Sequence, residues 1–87
     1  MINVEKKDKD TFRVTVKEGG SQSSHTVTVD DDYYEKLTCK QYSKEDLIKK
    51  SFEFLLARES KESILSSFNL KVISNYFPEY EKKISSQ

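Results

Sequence analysis

Phe12-Arg13-Val14-Thr15-Val16-Lys17, then Glu18-Gly19-Gly20-Ser21-Gln22-Ser23-Ser24, then His25-Thr26-Val27-Thr28-Val29-Asp30: this is the stretch whose reading decides the fold. In the first run the apolar residues Phe12, Val14 and Val16 alternate with Arg13, Thr15 and Lys17, the period of a strand with one face buried. The last run repeats that period, with His25, Val27 and Val29 on one side and Thr26 and Thr28 on the other. The middle run is polar and holds both glycines of the chain, the residues that enter positive φ most cheaply. It therefore reads as a turn longer than a tight two-residue connection, and the whole stretch as an antiparallel hairpin.

C-terminal to the hairpin, the period changes from two to that of a helix. Asp30-Asp31-Asp32 supplies carboxylates for a helix start, and Tyr33, Tyr34 and Leu37 follow at helical spacing, so a short helix is expected. Thr38 to Tyr42 has no period and reads as a loop. Ser43 stands three residues ahead of Asp46 in an approximate capping box, and a helix is expected from about Lys44 to Glu59. Wound at 100° per residue, Leu47, Ile48, Phe52, Phe54, Leu55 and Leu56 cover an arc of about 200°, too wide for one partner. Two acid-first pairs on that helix, Glu45–Lys49 and Asp46–Lys50, contribute only about 0.2–0.5 kcal/mol each, so the apolar arc decides where it packs. Ile64, Leu65 and Phe68 form a smaller apolar face on an expected short helix, and Asn69 is placed to cap another turn holding Leu70, Val72 and Ile73. Pro78 drives Phe77 out of helical geometry and can open a last helix through Tyr80 and Ile84. The expected class is α+β: an N-terminal antiparallel β-hairpin, a short helix, one long central helix and two or three short C-terminal helices.

The chain has 87 residues, 15 basic and 15 acidic, and only 34% are hydrophobic. One small domain over residues 1–87 is expected, with 1–10 and 85–87 fraying. Its apolar share lies below the usual ~45–50%, so its core should be thin. No apolar run is long enough for a secretory segment or a membrane span, which gives a cytoplasmic expectation and no membrane partner. Cys39 has no second cysteine for a disulfide, a resolving thiol or a metal pair. His25 is the sole imidazole and lies in phase with Val27 and Val29, the position of a structural histidine. Asp30-Asp31-Asp32 lacks the spaced carboxylates and glycine of a calcium loop. No cofactor or metal is expected, and the chain is not expected to be an enzyme.

Two resemblances enter here. His25 to Glu59, about 40% of the chain, with Ser43-Lys44-Glu45-Asp46-Leu47-Ile48-Lys49-Lys50-Ser51-Phe52 at its centre, resembles the ribbon-helix-helix regulators. That resemblance implies an antitoxin-like transcriptional regulator whose strands pair across a dimer and enter the major groove. By position Thr26 and Thr28 would face the bases, with Ser43 and Lys44 at a phosphate. The reading requires a free edge on His25–Asp30. Separately, Ser51-Phe52-Glu53-Phe54-Leu55-Leu56-Ala57-Arg58-Glu59, Lys61-Glu62-Ser63-Ile64-Leu65 and Val72-Ile73-Ser74-Asn75-Tyr76-Phe77-Pro78-Glu79-Tyr80 look like a family of small uncharacterised prokaryotic proteins. This implies a stand-alone α+β domain and no activity.

The zero formal charge conceals an uneven distribution: residues 25–37 sum to −3, whereas 1–24, 38–60 and 61–87 each sum to +1. The candidate DNA reader is thus the most acidic segment, the wrong sign for phosphate, and nucleic acid is disfavoured. The leading expectation is a non-enzymatic regulatory or adaptor domain acting through protein–protein contact. Tyr76, Phe77 and Tyr80 form the candidate partner surface. Leu47, Phe54 and Leu55, from the wide arc of the long helix, form a candidate homodimer face.

Overall fold

The computed structural model describes residues 1–85. Along the chain run β1 (Ile2–Lys6), β2 (Thr11–Glu18), β3 (Ser21–Thr28), α1 (Asp31–Thr38), α2 (Lys44–Leu56), β4 (Ser67–Asn69), α3 (Ile73–Tyr76) and α4 (Tyr80–Ser85), an α+β arrangement. Single 3₁₀ turns occupy Lys61–Ser63 and Leu70–Val72.

The hairpin is tighter than its polar middle implies. Gly19 and Gly20 have φ of 57° and 81°, and two successive positive φ values give the two-residue turn whose twist matches paired strands. Glu18 consequently faces Ser21, and Ser21 to Ser24 are strand rather than turn. Residues 1–10, expected to fray, instead carry β1, which pairs antiparallel with β2 from Ile2↔Val16 to Lys6↔Phe12. The reason is Ile2 and Val4, which continue the apolar rows of the neighbouring strands and pack against the core. At the other end, Ser85 closes α4, and the remainder of the expected frayed tail lies outside the described residues.

The sheet order is β1-β2-β3-β4, antiparallel except for the parallel β3–β4 pair. Cross-strand register sorts its two faces. Val4, Val14 and His25 fall in one inward row, and Lys6, Phe12, Val27 and Phe68 in another, with Phe12, Val14, Val16, His25 and Val27 all buried. Glu5, Arg13, Thr26 and Ser67 fall in an outward row and are all exposed. The inward face is covered by α2, whose Leu47, Ile48 and Phe52 are fully buried, and by Leu70, Tyr80 and Ile84 from the C-terminal elements. Full burial of each such side chain contributes about 1.5–3 kcal/mol. Neither Glu45–Lys49 nor Asp46–Lys50 closes as an ion pair among the described residues. Burial places this helix.

Local signals fix most boundaries. Ser43 Oγ accepts the Asp46 N–H at 3.1 Å, the cap expected of it. Asp30 occupies the N-cap of α1 without a side-chain cap bond, so the acids act there through Asp31 and Asp32 in the first turn, where the helix dipole favours them. Helix α1 ends at Cys39 and Lys40, both left-handed at φ 52° and 61°. Thr38 holds this bend by donating to the Tyr34 carbonyl at 2.8 Å and accepting the Lys40 N–H at 3.0 Å. Asn69 caps its turn through the Lys71 N–H, and Phe77 is extended ahead of Pro78. The helix expected over 60–68 does not form. After one 3₁₀ turn the chain extends, because Phe68 is drawn into register beside Val27 as part of β4.

Candidate functional site

The C-terminal elements and the end of α2 do not close completely over the sheet. They leave an open, mainly apolar groove of about 180 Å³. Leu55 from the last turn of α2 and Glu59, just beyond its C-terminus, form one wall, and Ile73, Tyr76 and Phe77 from α3 and its exit form another. Ser63, Ile64, Leu65, Phe68 and Val72 supply the rest. The lining includes two exposed large apolar side chains: Leu65 is 46% and Tyr76 66% exposed. A cavity of about 150 Å³ lined by aliphatic and aromatic groups already accepts benzene. A groove of this size therefore fits one large apolar side chain, and lies below the roughly 300–1,000 Å³ of a drug- or cofactor-sized site.

His25 positions the groove from behind. Its Nδ1 lies 2.7 Å from the Leu65 carbonyl and its Nε2 lies 2.8 Å from Ser23 Oγ. A carbonyl only accepts, so Nδ1 carries a proton and donates to Leu65, while Nε2 shares its hydrogen bond with the Ser23 hydroxyl. The ring is 3% exposed and packs 5.4 Å from Phe52. It is a satisfied core histidine that ties the main chain of Leu65 to β3 and leaves the Leu65 side chain facing outward.

Of the candidate partner surface, Tyr76 and Phe77 line this groove, Tyr76 exposed and Phe77 half-buried. Tyr80 does not. It is fully buried, with its hydroxyl 2.6 Å from Ser51 Oγ and its ring 5.3 Å from Phe54, so it is a core residue joining α4 to α2. The candidate dimer face is corrected in the same way. Leu47, Phe54 and Leu55 are buried inside one chain, because the arc of α2 is divided between the sheet and the C-terminal elements. Phe54 is covered by Phe77, Tyr80 and the Arg58 guanidinium, 3.7 Å above its ring.

The candidate DNA contacts are not brought together. Thr26 lies in the outward row of the sheet, and Thr28 alternates with buried Val27 on that same side; Ser43 and Lys44 begin the helix packed on the inward face. Thr26 to Thr28 are paired with β4 on the side away from β2, so this part of β3 has no free edge for a second copy. The Lys44 ammonium is occupied, 2.8 Å from Asp10 and 2.5 Å from Asp31. Burial works against its charge, and the two carboxylates outweigh that to raise its pKa. Asp31 is held below the usual carboxylate value by hydrogen bonds from Lys44 and Lys9.

A wider and more open cleft of about 700 Å³ lies between α1 and residues 69–75. Three of its titratable groups, Tyr33, Lys36 and Glu81, are joined to one another. Tyr33 donates to Glu81 at 2.9 Å, and Lys36 approaches the same carboxylate at 3.2 Å. Burial and that acceptor raise the Tyr33 pKa, while the Tyr33 and Lys36 hydrogen bonds lower that of Glu81. Among the described residues, no cluster of three or more His, Cys, Asp or Glu side chains could hold a metal ion, and no helix is long and apolar enough to cross a membrane. No protein-family model, curated protein or solved structure matches the chain.

Leu65, Ile64, Phe68, Val72, Ile73, Ser63 and Glu59 also line the groove, and none stood among the site residues expected from the sequence. The apolar ones were visible as short helical faces. What hid their role was the break at 64–69, where an extended segment turns two small faces toward one another.

Proposed function

We propose that this protein is a non-enzymatic regulatory or adaptor domain that works by protein–protein contact, holding one apolar side chain of a polypeptide partner in the groove between α2, β4 and α3. One observation carries this reading: an apolar recess of about 180 Å³ opens to solvent beside the exposed Leu65 and Tyr76. A side chain entering it would remove both its own surface and that of the rim from water, at about 25 cal/mol per Å² of apolar area. The size argues for an anchor residue rather than a cofactor. The occupied Lys44, the acidic 25–37 segment and the paired Thr26–Thr28 edge give the ribbon-helix-helix alternative no comparable support.

A fragment titration followed by amide NMR tests the reading directly, with toluene and isobutane-type alcohols standing in for Phe and Leu side chains. The amides of Ile64, Phe68, Ile73 and Phe77 should shift together and saturably. Replacing Leu65 or Tyr76 with Asp should weaken the response without unfolding the chain. Shifts absent from these amides, or scattered over the sheet, would refute the groove as a binding site.

A further inference from the structure

We propose that the partner segment carries a basic side chain, Lys or Arg, next to its apolar anchor, and that the Glu59 carboxylate receives it. The inference rests on the groove reading and specifies its partner. Glu59 continues the last turn of α2, its N–H bonded to the Leu55 carbonyl at 2.8 Å, and lines the groove half-buried. Its carboxylate makes no ion pair among the described residues. Glu62 is engaged with Lys61, Glu79 with Arg58, and Glu81 with Lys36, and Glu53, exposed on α2, does not line the groove. The nearby cations are equally occupied. Arg58 donates to the Phe54 carbonyl at 3.1 Å and to Glu79 at 3.4 Å, and the Lys61 ammonium is turned to Glu62.

Position sharpens the point. The C-terminal end of a helix is the negative end of its dipole, where a carboxylate is disfavoured and a cation favoured. Glu59 therefore stands where folding gains nothing from it, at the mouth of the recess that the anchor would enter. An approaching ammonium or guanidinium meets the carboxylate and the α2 C-terminus together. Its methylene stem can lie along the exposed Tyr76 ring, which also offers a face to a cation. A neutral or acidic neighbour to the anchor finds no such complement.

The test is a selection of random phage-displayed dodecapeptides on the full chain, repeated on Glu59→Lys, followed by anisotropy titration of the enriched synthetic peptides. The wild type should enrich Phe, Leu or Ile anchors with Lys or Arg close by, and Glu59→Lys should enrich Asp or Glu instead. Glu59→Gln should weaken the wild-type peptide about five- to tenfold, reduce its salt dependence, and leave the urea midpoint unchanged or higher. Apolar anchors without charge preference, the same preference in Glu59→Lys, or a lowered midpoint in Glu59→Gln would overturn this inference while leaving the groove in place. Enrichment that survives Leu65→Asp and Tyr76→Asp, or none at all, would overturn both. A monomer–dimer equilibrium abolished by Tyr76→Asp would put a second copy in the groove and overturn the peptide assignment.

Discussion

Tyr80→Phe should destabilise the wild-type protein and stabilise the Ser51→Ala variant. Ser51 and Tyr80 are both fully buried, on α2 and α4. Ser51 Oγ donates its proton to the Leu47 carbonyl at 2.8 Å, so at 2.6 Å the Tyr80 hydroxyl must be the donor to Ser51 Oγ. In the wild-type background, Tyr80→Phe removes one hydrogen bond and leaves no orphaned donor, a cost of about 0.5–1.5 kcal/mol. Ser51→Ala leaves the phenol buried with no acceptor, at about 1–3 kcal/mol, from which about 0.5 kcal/mol returns through the better helix propensity of Ala. In that background Tyr80→Phe deletes the orphaned hydroxyl and recovers most of the penalty. The coupling energy of the pair is thus about 2–3 kcal/mol, a large part of the roughly 4–13 kcal/mol available to a chain of this length. Urea unfolding followed by far-ultraviolet circular dichroism on all four proteins measures it, with m-values expected to stay constant. Equal costs for Tyr80→Phe in the two backgrounds would refute the reasoning and show that the phenol reaches water.

Three further outcomes follow from the same geometry. Tyr33 and Tyr80 hold their protons well above the ordinary tyrosine value of 10.0, so stability should be full below about pH 10 and fall as pH rises through and beyond it; in an alkaline titration their tyrosinate absorbance should appear only with loss of the dichroism signal, and earlier ionisation would contradict their burial. Glu81 has the opposite sign: its folded pKa lies below 4.5, so its contribution is present above that value and lost as pH falls through the depressed one. Glu81→Gln should therefore be less stable than wild type at neutral pH and equal to it in strong acid, as measured by urea midpoints at both. Gly20→Ala, at φ 81° with open space around the added methyl, should cost about 1 kcal/mol through backbone strain alone, and a neutral thermal midpoint would show that the turn relaxes at no cost.

The sequence disclosed those features whose signals are local. The strand alternation of Phe12–Lys17, the Ser43 cap, the Asn69 cap and the break before Pro78 all depend on residues within a few positions of one another. Strand β1 was hidden because Ile2 and Val4 sit among lysines and acids, and only pairing with β2 gives them a buried side. Strand β4 was hidden more deeply, since its three residues earn their conformation from β3, far away in the chain. The same distance explains the site. Tyr76 and Phe77 were legible as aromatics near a proline, but Leu47, Phe54 and Leu55 looked available only because nothing local reveals how many layers cover α2. Glu59 carried no sequence signal among so many charges. It stands out only when its neighbours are seen to be paired elsewhere.

The late return of the chain to the sheet has a kinetic side. Strands β1 to β3 are joined by short turns and can assemble from neighbours, whereas β4 pairs with β3 only after the chain from Thr28 to Ser67 has been threaded through two helices. That closure carries a large loop entropy and, once made, rests on three paired residues, Leu65's bond to His25 and a few buried side chains. Its reversal can proceed without melting the hairpin, so amides of the segment from Ile64 to Phe77 should exchange with solvent deuterium through a sub-global opening while those of β2 and β3 wait for complete unfolding. A ligand held by that segment would slow the first class of exchange and leave the second almost untouched, giving occupancy a signature written in hydrogen exchange rather than in shape.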